Sequence, residues 1–171
     1  YKSKNGRILI DNPERYAFYS KAVISTLPHL FWVPDIFVCN GWQSALIPSI
    51  YKNEYEGTSD FYNNIKTVLV IHDLDDYSIA SKSELLKFGI EIPLNIKGNK
   101  ISLYDVASYS ADAILIIDKP GAKISSKLLK KTAYKDNKNK ITIFEQRDIE
   151  NIEYSAVTKS LDQIISKLTS K

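Results

Sequence analysis

Three short runs of apolar, largely β-branched residues constrain this chain more than any other feature. They are Asp35-Ile36-Phe37-Val38-Cys39, Lys66-Thr67-Val68-Leu69-Val70-Ile71 and Ala113-Ile114-Leu115-Ile116-Ile117. Their apolar character is continuous and not alternating, so as strands they carry apolar side chains on both faces, and both faces need cover. A parallel sheet with crossover helices provides that cover. A fourth, weaker run, Lys140-Ile141-Thr142-Ile143-Phe144, extends the series.

Between these runs the apolar period lengthens to that of a helix. Pro13 follows the cap candidate Asn12 and opens a stripe of Tyr16, Tyr19, Val23 and Leu27. Further stripes run through Leu103, Val106, Ala107 and Ser110, and through Val157, Leu161, Ile164, Ile165 and Leu168. The spacing predicts helices over about 42–53, 81–88, 102–110, 119–132 and 155–170, alternating with the strands and joined by right-handed crossovers. The expected fold class is therefore α/β, a doubly wound, mainly parallel sheet with helices on both faces. Segments 54–64 and 90–101, rich in Gly, Asn and Ser, read as surface loops.

At 171 residues with 44% hydrophobic, the chain is of one-domain size and can build its own core. No domain boundary, repeat or long linker interrupts 1–171. The single cysteine, Cys39, excludes an internal disulfide and a multi-cysteine zinc site, and it fits a reducing, cytoplasmic setting. No apolar run reaches the roughly 20 residues that span a bilayer, and the first residues form neither a signal peptide nor a transit peptide, so no membrane association is expected.

The 23 basic residues against 20 acidic ones are dispersed. The densest group, Lys127, Lys130, Lys131, Lys135, Lys138 and Lys140, alternates with Asp136, Asn137 and Asn139 and reads as a solvated surface, so nucleic acid is not an expected partner. Methionine is absent even from position 1, which predicts that the chain is not a complete translation product.

In open α/β sheets ligands sit beyond the carboxyl ends of the strands. Two such ends are polar here: Cys39-Asn40-Gly41-Trp42-Gln43-Ser44, and His72-Asp73-Leu74-Asp75-Asp76-Tyr77. His72 reads either as a structural histidine bonding a nearby loop or as a ligand-binding one. The three aspartates lack the glycine and distal glutamate of a calcium loop, so they read as a solvated acidic turn, and no metal is expected. Trp42 reads as a packed turn anchor and Cys39 as a buried, inert thiol. No Gly-x-Gly-x-x-Gly, Walker, Gly-x-Ser-x-Gly or Cys-x-x-Cys pattern occurs.

Longer patterns carry a resemblance. Asn12-Pro13-Glu14-Arg15-Tyr16-Ala17-Phe18-Tyr19-Ser20-Lys21-Ala22, Trp32-Val33-Pro34-Asp35-Ile36, Gly41-Trp42-Gln43-Ser44-Ala45-Leu46-Ile47-Pro48 and Thr67-Val68-Leu69-Val70-Ile71-His72-Asp73-Leu74 stand in the order and spacing of one family's signature. Ser102-Leu103-Tyr104-Asp105-Val106-Ala107-Ser108-Tyr109-Ser110-Ala111-Asp112 adds that family's helix ending in Tyr-Ala-Asp. Over about residues 12–118 the chain resembles the N-terminal catalytic domain of bacterial glycogen and plant starch synthases, in a short, single-domain form of the Bacteroidetes type that lacks the family's N-terminal donor loop.

That resemblance implies a Rossmann-like half of a GT-B glycosyltransferase, cytoplasmic, with no cofactor or metal. Such enzymes move glucose from ADP-glucose to the end of an α-1,4-glucan with retention of configuration. By resemblance His72 is the catalytic position, contacting the transferred glucose, and Asn40, Gly41, Trp42, Gln43 and Asp73 are substrate-binding. The family's His-x-His-Asp-Trp stands here as Val38-Cys39-Asn40-Gly41-Trp42, and its Asn-Leu-x-Tyr-Gln-Gly turn as Asp73-Leu74-Asp75-Asp76-Tyr77-Ser78.

The family's second domain, which supplies arginine, lysine and glutamate around the diphosphate, has no counterpart in 1–171, so the isolated chain is expected not to turn over. The alternative is an inactive glucan- or nucleotide-sugar-binding module or partner subunit, with a homo-oligomer or a second-domain partner. A dimerising α/β protein without sugar chemistry would instead show an exposed apolar patch near Trp32 or Tyr51.

Overall fold

All four apolar runs become neighbouring strands of one sheet. The computed structural model describes residues 2–147 and 154–170. The strands are β1 (Ile36–Asn40), β2 (Lys66–Ile71), β3 (Ile79–Ser81), β4 (Lys100–Ser102), β5 (Ala113–Asp118) and β6 (Ile141–Glu145). The helices are α1 (Asn12–Thr26), α2 (Ile47–Ile50), α3 (Lys82–Lys87), α4 (Leu103–Ser110), α5 (Ile124–Leu128), α6 (Thr132–Asp136) and α7 (Tyr154–Thr169). The main sheet is wholly parallel in the order β1-β2-β5-β6, and β3 and β4 form a separate antiparallel pair.

Side-chain alternation along the strands divides the core into two layers. Phe37, Cys39, Leu69, Ile71, Ile114 and Ile116 face a large cluster that includes residues of α1, α2, α4, α5 and α6. Val68, Val70, Ala113 and Leu115 face a smaller one closed by Ile164, with Leu161 and Leu168 beside it. Each crossover steps one position along the sheet in the same direction. Right-handed connections of that kind place their helices on one face, and the long helix α7 covers the other. The α/β class with helices on both faces is thus as the sequence reads.

Several boundaries differ from the pattern, each for a local reason. The helix expected over 42–53 is a 3₁₀ turn at Trp42–Ser44, then α2 with Pro48 in its first turn, then a π turn at Tyr51–Tyr55. The helix expected over 119–132 splits into α5 and α6, because Pro120-Gly121 turns first and Gly121 and Lys123 take positive φ. Within the segment read as the loop 90–101, the end pairs as β4 with β3, a contact between distant short segments that no local period announces.

In α1, Asp11 occupies the cap position and Asn12 lies inside the helix. Its buried residues are Asn12, Pro13, Ala17, Ser20 and Ile24; of the predicted stripe, Leu27 is buried just past the helix end, Tyr16 and Val23 are half-buried and Tyr19 is exposed. Small side chains let the helix approach closely, and the buried Ser20 hydroxyl is satisfied by the carbonyl of Tyr16 at 2.7 Å. Segment 54–64 is pinned: Tyr62 donates to the carbonyl of Ile24 at 3.2 Å, and Tyr51 donates to that of Tyr62 at 2.6 Å. Tyr51 is fully buried and so contributes to no surface patch, whereas Trp32 is 59% exposed.

At the amino ends of β2 and β5, Asp112 accepts from both the amide and the hydroxyl of Thr67, at 2.8 and 3.0 Å. Ser81 and Glu84 form a reciprocal capping box that starts α3. Among the described residues no helix is long and apolar enough to cross a membrane.

Ile164 is the one buried residue among those described in α7, so Ile164→Ala tests how this helix is docked. The expected loss is about 2–4 kcal/mol in urea denaturation, whereas a loss under about 0.5 kcal/mol would show that α7 contributes little to the fold.

Candidate functional site

The pairing of β1 with β2 sets Asn40, the last residue of β1, opposite Val70, and β2 runs one residue further, to Ile71. The amide of Gly41 still donates to the carbonyl of Val70, at 3.0 Å. Gly41 has φ +74°, a conformation that costs an L-residue strain, and a Cβ there would lie 3.2 Å from His72 Nε2 and 3.0 Å from Gln43 Oε1. The glycine therefore lets the turn pass directly against the histidine. The 3₁₀ turn that follows is closed by the Ser44 hydroxyl on the carbonyl of Asn40, at 3.0 Å.

Trp42 is buried, with its ring edge-on to Tyr16 at 4.7 Å and tilted over Tyr77 at 6.2 Å. It is the packed anchor that its residue type suggests, and it offers the crest only backbone. Gln43 and Ser44 are half-buried and, with Asn40, line a cavity of about 460 Å³ beside Tyr16 and Tyr19.

His72 is the first residue beyond β2. Its Nδ1 lies 3.2 Å from Asp73 Oδ2, with the two side chains 34% and 24% exposed. The other carboxylate oxygen, Asp73 Oδ1, accepts from the hydroxyl of the fully buried Tyr104 at 3.0 Å. Tyr104 also takes a backbone hydrogen bond from Trp42, and burial, with the charge of Asp73 next, pushes its phenol well above the ordinary range. Tyr104 reaches this point because β4, held by its antiparallel pairing with β3, leads straight into the first turn of α4. The sequence reading assigned Tyr104 no role; its one available signal was a tyrosine beside an otherwise apolar helical stripe, where a buried hydroxyl needs a partner.

Asn40 and His72 continue the side-chain alternation of Val38 and Val70, so they face the same side as α7. They line a second cavity of about 470 Å³ with Lys119, Gln146, Leu115 and Tyr154. The third strand end is closed on itself: the Asp118 carboxylate accepts from the amides of Ile124 and Ser125, at 2.8 and 3.1 Å.

Asp75 and Asp76 are exposed, as a solvated turn should be, but Asp73 is tied into the site. Among the described residues no three His, Cys, Asp or Glu side chains converge to hold a metal ion. In the lysine group, Lys131 is paired with Asp105 at 2.9 Å and Lys140 donates to the carbonyl of Tyr109 at 3.2 Å. Cys39 is fully buried, and burial pushes its thiol up to about 12.

The family described as the starch synthase catalytic domain matches residues 1–123. The glycogen synthase of Clostridium perfringens is 37% identical over 112 residues, which are 64% of this chain and 22% of that protein. That of Lachnospira eligens is 35% identical over 106 residues, 62% of this chain and 22% of that protein. The chain thus spans about a fifth of the length of these relatives. The catalytic domain of starch synthase IV from Arabidopsis thaliana, a structure bound to ADP and acarbose, shares the fold with a TM-score of 0.64 and 18% identity, over 85% of this chain and 31% of that one.

Two expectations follow from the geometry. Gly41→Ala should cost about 1–3 kcal/mol in chemical denaturation and shift the NMR signals of His72; an unchanged His72 spectrum would contradict the close approach. Native Cys39 should resist disulfide reagents at about pH 8 and react once unfolded. An unfolded thiol ionises near about 8.5, so its share of stability is whole below that pH and is lost as pH rises toward the folded value of about 12. The fall in urea midpoint between about pH 7 and pH 10 should therefore be smaller in Cys39→Ala than in the parent.

Proposed function

The chain belongs to the starch synthase catalytic domain family, and from that premise we propose that it forms one wall of a glycosyltransferase site, at which glucose passes from ADP-glucose to the end of an α-1,4-glucan. The observation that carries the reading is His72, held by Asp73 at the carboxyl end of β2 and touching the Gly41 turn at the end of β1. Polar groups converging beyond neighbouring strand ends are what a ligand site in such a sheet requires.

In the transfer, the bond from glucose C1 to the phosphate oxygen of ADP breaks, and ADP leaves with the electron pair. The oxygen of the acceptor's 4-hydroxyl forms the new bond to C1 and releases its proton. This chain contributes positioning and hydrogen bonds. His72 contacts a hydroxyl of the transferred glucose, Asn40 and Gln43 line the cleft, Gly41 allows close backbone approach, and Trp42 takes part through its backbone. Asp73 acts through His72.

Residues 1–171 work as a single Rossmann-like domain that meets a second domain or subunit across the crest, with the remaining donor contacts on that partner. The buried lone thiol suits the cytoplasm. One observation favours a second reading, a non-catalytic glucan- or nucleotide-sugar-binding module: Asn40 and Gly41 stand where the family pattern has histidine and aspartate, which removes titratable groups from beside His72.

Glucosyl transfer from radiolabelled ADP-glucose to a glycogen primer, with the complete gene product, separates the two. Incorporation that falls by about 100-fold or more in His72→Ala is expected. An undiminished rate in that variant removes the role of His72. No incorporation by folded protein that still binds glucan supports the second reading.

A further inference from the structure

We propose that Tyr104 is a positioning residue: through Asp73 it holds His72 in the tautomer with the proton on Nδ1, so that Nε2 is a bare acceptor. The proposal rests on the reading of His72 as the group that meets the sugar, and it says in which sense that contact runs. The ligand's hydroxyl donates and His72 accepts.

The assignment follows from counting donors and acceptors. Asp73 Oδ2 lies 3.2 Å from His72 Nδ1, so a bare Nδ1 would set its lone pair against an ionised carboxylate, which only accepts, and the proton is favoured on Nδ1. A neutral imidazole with its proton on Nδ1 has none on Nε2. Asp73 has its two oxygens divided between His72 and Tyr104, and rotating the carboxylate breaks both contacts.

Tyr104 is in turn prevented from turning away. It is fully buried, its hydroxyl donates to Asp73 at 3.0 Å, and the backbone of Trp42 bonds the same oxygen. Trp42 follows Gly41, against which Nε2 of His72 rests. The chain of contacts thus leaves the β1 turn at Trp42 and returns to it at Gly41. Both ends of the imidazole are referenced to one backbone turn, the arrangement by which an outer residue fixes the orientation and tautomer of an inner one.

The test is the ¹⁵N NMR spectrum of imidazole-labelled protein, followed as pH is raised and read on the high-pH plateau where the shifts no longer change. The chain has only two histidines, and the exposed His29 serves as the internal reference for an unconstrained ring. His72 should show a protonated Nδ1 and a bare Nε2. Tyr104→Phe, which removes only the hydroxyl, should move the tautomer ratio of His72 by about tenfold toward that of His29, and Asp73→Asn should move it at least as far. A merely structural tyrosine would shift stability and leave this ratio alone.

A proton on Nε2 in the parent protein, or an unchanged ratio in a folded Tyr104→Phe variant, overturns the proposal. The spectrum is recorded without sugar. Failure of glucosyl transfer with the Nδ1–H signature intact therefore counts against the transferase reading and supports the positioning role on its own terms.

Discussion

Everything at the candidate site depends on the in-register parallel pairing of β1 with β2. With Asn40 opposite Val70, β1 ends one residue before β2, which runs on through Ile71, and the alternation of side chains decides what meets what. Asn40 and His72 fall on the α7 side; Gly41, one residue further, brings its backbone against the imidazole. A one-residue slip would exchange the two faces of β1 and bury Asn40 in place of Cys39. The apolar core enforces the register, so the energy that folds the sheet also aligns the site.

The crest is completed from a second direction. The acidic turn after His72 leads into β3, and its distant partner β4 leads into α4, which places Tyr104 against Asp73. Buried polar groups are costly unless satisfied, and here the tyrosine hydroxyl is satisfied by the carboxylate that also lies beside the imidazole. At the next strand end Asp118 instead accepts from the amides of α5, so its carboxylate holds the backbone there.

How far the residues alone could reach is clear from particular positions. Val68, Leu69 and Val70 announce a strand covered on both faces, and the pattern of β2 and β5 survives in the structure almost to the residue. Gly41 followed by Trp42 was legible as a turn and an anchor. The cap of α1 was missed by one residue, and its buried stripe by a small rotation, because Ala17 and Ser20 pack a close contact that a search for large apolar side chains passes over. The β3–β4 pair is not legible in the sequence for a related reason: three-residue strands have too little period to read, and their partners lie about twenty residues apart in the chain.

The sequence by itself determined the layered α/β class, the identity of the strand ends and, through its longer patterns, the family to which the chain belongs. Those properties are local or one-dimensional: hydrophobic period, turn chemistry, and the order of motifs. Only the tertiary structure decided that Asp73 belongs to the site while Asp75 and Asp76 belong to solvent, and that Tyr104, 32 positions from His72 in the chain, lies within hydrogen-bonding distance of that carboxylate. The hydrogen-bond chain joins groups from two strand ends and a helix. Its geometry exists only once the register of the sheet and the pairing of β3 with β4 have been set.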